Sequence, residues 1–333
     1  MRSLATSLLI TIAAAAPVAR RAAPSYIFAG DAPFSVNADA LAAALTCPGG
    51  NPTAAAPPVL LVHGTATTGD QSWGKGYVPA LRAEGYTPCY VTLPSRAMDD
   101  MQVSSEYVAY NLHYLASLSG GLKPAIISHS QGGPVSQWAL QFWPSTRSVA
   151  RAFIPLSPDF DGVDLAISEL SAVCDLIDCQ PSLWQQSQGS NYYKALHAGD
   201  FRALVPTTSI WTKVCREVTL NSIISHQTST STDIHKLDGV VTPPERNAQL
   251  PSATVLNVGQ LCPLRLVNHL QVTTDAAAFA IALDALKHDG KASIARLVPQ
   301  VLSVCTRTTA KNMDDSMSAN LATLFKQFLD GFM

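Results

Sequence analysis

Lys123-Pro124-Ala125-Ile126-Ile127-Ser128-His129-Ser130-Gln131-Gly132-Gly133-Pro134-Val135 is the stretch on which the reading of this chain turns. Residues 125–127 form a short apolar run opened by a proline, the pattern of a fully buried strand. Downstream, Val135, Trp138, Ala139 and Phe142 fall on one face of a helix, with Pro134 in its first turn, where a missing N–H costs nothing. Between strand and helix lie Ser128, His129, Ser130, Gln131 and Gly132. A sharp turn there lifts the Ser130 hydroxyl above the sheet, and Gly132 and Gly133 let the helix pack close to the strand. The Gln131 backbone N–H, at the helix start, can face a developing oxyanion. Glycine is the usual residue two places before such a nucleophile, so Ser128 is a mild departure.

The same alternation extends outward. Residues 59–62 are a second buried strand ending at His63-Gly64-Thr65, and 88–93 and 152–156 are further strands. Val108, Leu112 and Leu115 recur at helical spacing between Met101 and Leu118. Phe279, Leu283 and Leu286 mark a helix stopping near Gly290, and Met317, Leu321, Leu324 and Phe328 mark the last one. Strands alternating with helices imply an α/β fold with a mostly parallel sheet covered on both faces. There is no internal repeat and no domain linker, so residues 22–333 read as one domain.

A serine hydroxyl is a poor nucleophile without a base and an orienting carboxylate. With a serine elbow in an α/β sheet, acid and then histidine follow in the chain. The histidines after Ser130 are His197, His226, His235, His269 and His288. His288 sits in a charged helix end and His197 near a helix C-terminus. His269, in Leu266-Val267-Asn268-His269-Leu270, lies between an apolar run and a helix, and is the expected base.

Composition narrows the partners. The 333 residues are 47% hydrophobic and 14% charged, with a net charge of −2, which excludes disorder and gives no footprint for nucleic acid. Arg2 followed by an apolar run from Leu4 to Ala16 and a small-residue stretch reads as a signal peptide, with Arg20-Arg21 as a propeptide processing site; residues 1–21 are expected to be removed and the protein secreted. No later stretch is long and apolar enough to span a bilayer. Seven cysteines in an exported chain point to disulfides; Cys174 and Cys179 are close enough to close a small loop. No metal-ligand spacing, phosphate-cradling loop or cofactor motif is present, so no metal or cofactor is expected, and the chain is expected to act as a monomer.

From about Phe34 to Cys305 the chain resembles the α/β-hydrolase family typified by Candida antarctica lipase B. The resemblance rests on residues 61–69 (Leu-Val-His-Gly-Thr-Ala-Thr-Thr-Gly), Ser130-Gln131-Gly132-Gly133 with Gln137-Trp138, Pro158-Asp159-Phe160, Trp184-Gln185-Gln186, Val205-Pro206-Thr207-Thr208 and the approach to His269. It implies an α/β-hydrolase fold with a short lid, an ester or lipid substrate, and lipase or carboxylesterase activity, with polyester depolymerase, acyltransferase or a catalytically dead scaffold as alternatives. It also implies disulfides Cys47–Cys89 and Cys262–Cys305, and an oxyanion hole formed by Thr65 and Gln131.

The family's acid follows the Pro-Thr-Thr segment and a strand, here 209–213, yet counting straight on reaches Cys215. Leu237-Asp238-Gly239-Val240-Val241-Thr242-Pro243 matches the family's acid segment once residues 214–236 are set aside. The resemblance therefore implies Asp238 as the acid, with Glu217 its nearest rival. Eight of the 23 inserted residues are Ser or Thr and none is Gly or Pro. The insertion is read as a retained intron, with a surface loop as the alternative, since long insertions add little closure entropy. His129 stands where the family has tryptophan bordering the alcohol side of the pocket. Asp159, straight after a strand, is expected to border the pocket and to brace the elbow or the oxyanion loop. Residues 162–180 are expected to form the rim.

Overall fold

The computed structural model describes residues 22–163, 180–213, 241 and 243–330. Seven strands make one sheet: Leu45–Thr46 (β1), Pro58–Val62 (β2), Thr87–Val91 (β3), Ala125–His129 (β4), Ala152–Leu156 (β5), Thr208–Trp211 (β6) and Thr254–Asn257 (β7). Their order is β1-β3-β2-β4-β5-β6-β7; β1 runs antiparallel to β3 and every other pairing is parallel. Every residue of β2, β4 and β5 is buried, which is why these strands read as continuous apolar runs rather than alternating ones.

The helices preceding and flanking the elbow are Ala38–Ala43 (α1), Gly69–Trp73 (α2), Tyr77–Ala83 (α3), Met101–Leu118 (α4) and Gly132–Phe142 (α5). Successive strand side chains point to opposite faces and build two cores. Leu60, Val62, Ile126 and Phe153 pack with Val108, Leu112 and Leu115 of α4 and Val135, Trp138 and Ala139 of α5. Val59, Leu61, Ile127 and Ile154 face the other way, against α3 and against Phe279, Ile281 and Ala285 of the helix Ala276–Lys287. Each such large aliphatic or aromatic side chain contributes about 1.5–3 kcal/mol by leaving water. Aspartates start two of the helices, Met101–Leu118 and Ala276–Lys287: the Asp100 carboxylate accepts from the Gln102 and Val103 amides, and that of Asp275 from the Ala277 and Ala278 amides.

Two strands have no counterpart in the sequence reading. β1 has only two residues, too few for any periodicity, and pairs with β3 beside Cys47. β7 is four residues long and mostly half-buried, so its apolar run is short. The disulfides Cys47–Cys89 and Cys262–Cys305 are formed. Cys174, Cys179, most of the 162–180 rim, the 214–236 insertion, Glu217, Asp238 and residues 1–21 lie outside the described residues. Among the described residues no helix is long and apolar enough to cross a membrane.

Candidate active site

Ser130 follows β4 directly and holds φ at +53°, in the left-handed region that side-chain-bearing residues rarely occupy. Two backbone hydrogen bonds hold it there. The Ser130 N–H donates to the Leu156 carbonyl at 3.1 Å, and the Gly133 N–H donates to the Ser130 carbonyl at 2.7 Å. The turn needs bare backbone around it. A Cβ on Gly132 would lie 2.7 Å from the Val62 carbonyl oxygen, and one on Gly64 would lie 2.9 Å from the Ser130 Cβ. The loop after β2 and the elbow after β4 are thus pressed together, as adjacent parallel strands require.

His269 arrives from the far side of the sheet. It sits in a turn whose backbone is fastened by the Asn268 side chain, which accepts from the Leu270 and Gln271 amides at 3.1 and 2.7 Å. Its Nε2 is 2.9 Å from the Ser130 Oγ, and the residue is only 2% exposed. A serine O–H donating to that nitrogen requires a neutral ring with its proton on Nδ1. Burial, and then the neighbouring His129, hold its pKa well below the usual histidine value, so the ring is neutral and able to accept the proton. Nδ1 is buried and has no partner among the described residues, and Asp238 lies outside them.

Asp159 does not occupy that place. It is fully buried, its Oδ2 accepts from the Tyr193 hydroxyl at 3.0 Å, and its Oδ1 has no partner among the described residues. Burial pushes its carboxyl up to about 7, against the smaller lowering by the Tyr193 hydroxyl and a backbone amide. The contact it makes ties the end of β5 to the helix Asn191–Ala198. Neighbouring Pro158 packs on the elbow itself, where a Cβ on Gly133 would lie 2.6 Å from its Cβ. Two of the rival histidines are engaged elsewhere: His197 Nε2 donates to the Phe160 carbonyl, and His288 bonds within its own helix end to Asp284; His226 and His235 lie outside the described residues.

The loop after β2 borders the elbow. The N–H groups of Thr65 and Gln131 donate to no acceptor among the described residues. The Thr65 hydroxyl donates to the Gln186 Oε1 at 2.8 Å. The loop is locked from behind. His63 donates from Nδ1 to the Gly64 carbonyl and accepts at Nε2 from the Leu93 amide. The Arg96 guanidinium donates to the Ala66 carbonyl at 2.9 and 2.6 Å. Burial lowers the His63 pKa to about 4, which keeps this brace uncharged. Gln186, His63 and Arg96 were not foreseen as site residues. Gln186 lies in the Trp184-Gln185-Gln186 match, but its bond to Thr65 spans 121 residues and has no local signature.

His129 is buried under the site. Its Nε2 lies 2.8 Å from the His269 carbonyl oxygen, and the two rings are 4.8 Å apart, centroid to centroid. Among the described residues no group of three or more His, Cys, Asp or Glu side chains could hold a metal ion.

No family model matches the chain. Lipase B of Pseudozyma antarctica is 33% identical over 286 residues, spanning 84% of this chain and 75% of the relative. Among solved structures, Aspergillus fumigatus lipase B superposes with a TM-score of 0.75 at 29% identity, covering 89% of this chain and 68% of that one. The mature form of Bacillus licheniformis lipase BlEst2 is more distant, with a TM-score of 0.46 at 23% identity over 62% of this chain and 84% of that one.

Proposed function

Because the chain belongs to the lipase B family of α/β-hydrolases, we propose that it hydrolyses carboxylic esters, acylglycerols among them, through an acyl-enzyme on Ser130. The observation that carries this reading is the 2.9 Å approach of the Ser130 Oγ to a buried, neutral His269 Nε2, at an elbow where serine adopts a positive φ. The Ser130 oxygen attacks the ester carbonyl as its proton passes to His269 Nε2. The tetrahedral oxyanion is met by the N–H groups of Thr65 and Gln131 and by the Thr65 hydroxyl once it turns from Gln186. On collapse the C–O bond to the alcohol breaks, and His269 returns the proton to the departing oxygen. Water then adds to the acyl-enzyme with His269 as base, and the acid leaves.

Asp238 is assigned the role of holding the Nδ1 proton of His269. That nitrogen is buried and free of partners among the described residues, so a carboxylate there would satisfy an otherwise costly polar group. His129 and Asp159 are assigned to the floor beneath the pocket, where both are buried. Export belongs to the same reading: residues 1–21 act as a leader, the two disulfides suit an oxidising compartment, and the mature chain works as a monomer.

The test is Ser130→Ala in correctly folded protein, with p-nitrophenyl esters of graded chain length as substrates. Hydrolysis should fall by about 10⁴-fold or more, and a fluorophosphonate probe should label Ser130 in the wild type alone. A wild-type chain that neither turns over esters nor takes the probe overturns the assignment in favour of a non-catalytic scaffold.

A further inference from the structure

We infer that His129 is a positioning residue for the general base: its Nε2–H holds the His269 backbone carbonyl and so sets the distance from the imidazole to Ser130. The inference rests on the ester-hydrolase reading of the site. Three observations carry it. The Nε2 to carbonyl distance is 2.8 Å, and since a carbonyl can only accept, the proton must lie on Nε2. No backbone amide of the described residues donates to that carbonyl, so this bond is what holds it. Finally, His129 is joined by one peptide bond to Ser130, whose Oγ meets the His269 ring. Nucleophile and base, 139 residues apart in sequence, are therefore tied twice over a few ångströms: once through their reacting atoms and once through the His129–His269 strap.

The tie has to come from a side chain. His269 sits in an irregular turn between the helix Val258–Leu261 and the 3-10 turn Gln271–Thr273, where no strand pairing is available to fix it. A neutral imidazole suits the place because it is a rigid donor that brings no charge beside the base. Burial pushes the His129 pKa to about 4, so the ring stays uncharged at neutral pH. A displacement of the base by a fraction of an ångström is enough to lengthen the bond to Ser130, and misplacements of that order cost about tenfold to a hundredfold in turnover.

The experiment compares His129→Gln, which keeps an N–H donor on a chain of similar reach, with His129→Met, which has the same length and no donor, and His129→Phe, which keeps a ring. The expected result is a kcat about 10- to 100-fold lower in His129→Met and His129→Phe with KM within about twofold, and a His129→Gln variant within about threefold of wild type. Equal kcat in the Gln and Met variants, or a loss confined to KM, overturns the inference and leaves His129 as packing beneath the pocket. If His129→Phe does not fold, the Gln and Met pair still decides. A readout independent of turnover is the ¹⁵N spectrum of the wild-type histidines: His129 should show a protonated Nε2 and a bare Nδ1 at neutral pH, and the opposite tautomer overturns the strap. Failure of the ester-hydrolase reading appears separately, as a wild-type protein without Ser130-dependent hydrolysis.

Discussion

The two halves of the site are held in different ways. Every residue from Ser128 to Gly133 is buried, and the elbow is fixed by backbone pressed on backbone: Gly132 against the Val62 and His63 carbonyls, Gly133 against Pro158, Ser130 bonded to Leu156. The loop that brings His269 has Leu264 97% and Leu266 78% exposed and is held at isolated points. Those points are the Cys262–Cys305 disulfide, the part-buried Arg265–Asp275 ion pair, the Asn268 cap and the His129 strap. A serine in a strained turn needs continuous packing to hold the strain, whereas an imidazole proposed as a base needs only its ring placed. The contrast implies that the base side can be loosened without unfolding the protein, and the elbow side cannot.

The disulfides give the sharpest way to break that contrast. Cys47–Cys89 spans 42 residues and Cys262–Cys305 spans 43, so their effects on the unfolded chain are nearly equal. Removing either by a double alanine substitution should cost about 4 kcal/mol on the loop-entropy model. The functional consequences should differ. Cys47–Cys89 joins the edge strand β1 to β3, and its loss should leave the kcat of the molecules that remain folded near wild type. Loss of Cys262–Cys305 should lower kcat as well, by about tenfold. Denaturant titrations beside kcat at a temperature where both variants are folded read the two effects; equal kcat losses would show that the base loop is no more weakly held than the rest.

Gly132→Ala probes the other half. Its Cβ would meet two backbone oxygens at 2.7 and 2.8 Å, neither of which can move without shifting β2. The expected cost is about 3 kcal/mol, the upper part of the overpacking range. Activity should vanish with stability rather than separately from it. The matched control is Leu264→Ser, at a side chain 97% exposed, which should change stability by no more than about 0.5 kcal/mol. Urea midpoints for the two variants are the measurement, and a Gly132→Ala protein as stable as Leu264→Ser would refute the close-packed account of the elbow.

The same division explains what could be read from the sequence. The elbow was legible because its determinants are local: the strand, the turn and the α5 helix occupy consecutive residues, and glycine spacing reports the close approach. The parallel sheet followed from alternation of elements, while β1 and β7 escaped because two and four residues carry no period. His269 stands out among the five later histidines only by chain order and its place between an apolar run and a helix, because its partners, Ser130 and His129, are long-range and leave no local mark. Asp159 was expected near the elbow from its place after β5, but its bond to Tyr193, and that of Thr65 to Gln186, depend on helices distant in sequence. The acid was assigned by resemblance alone, since a 23-residue insertion interrupts the only segment that would have shown its register.

The smallest expected effect concerns two braces behind the elbow whose titrations oppose one another. His63 has a folded pKa of about 4, below the histidine value of 6.5. Between those values the unfolded chain binds the proton and the folded chain does not. Its contribution, about 3 kcal/mol, is therefore present above pH 6.5 and lost as pH falls through 4. Asp159 has the reverse sign. Its folded pKa is about 7, above the aspartate value of 3.8, so the folded chain holds the proton where the unfolded chain has released it. That contribution is present at acid pH and lost as pH rises through 7. The Asp159 slope opposes that of His63, but His129, lowered to about 4, and His269, also held well below the usual histidine value, share the sign of His63, so stability still rises with pH between about 4 and 6.5. Asp159→Asn cannot ionise and keeps an acceptor for the Tyr193 hydroxyl. It should be about 2 kcal/mol more stable than wild type at pH 8, after about 1–2 kcal/mol is deducted for an amide N–H₂ left without an acceptor. Near pH 4 that gain should disappear, and between the two the variant should show the steeper rise with pH that His63, His129 and His269 produce together. Chemical denaturation of both proteins at four pH values reads this directly. A variant whose stability parallels wild type across the range would mean that the Asp159 carboxyl titrates alike in folded and unfolded chains.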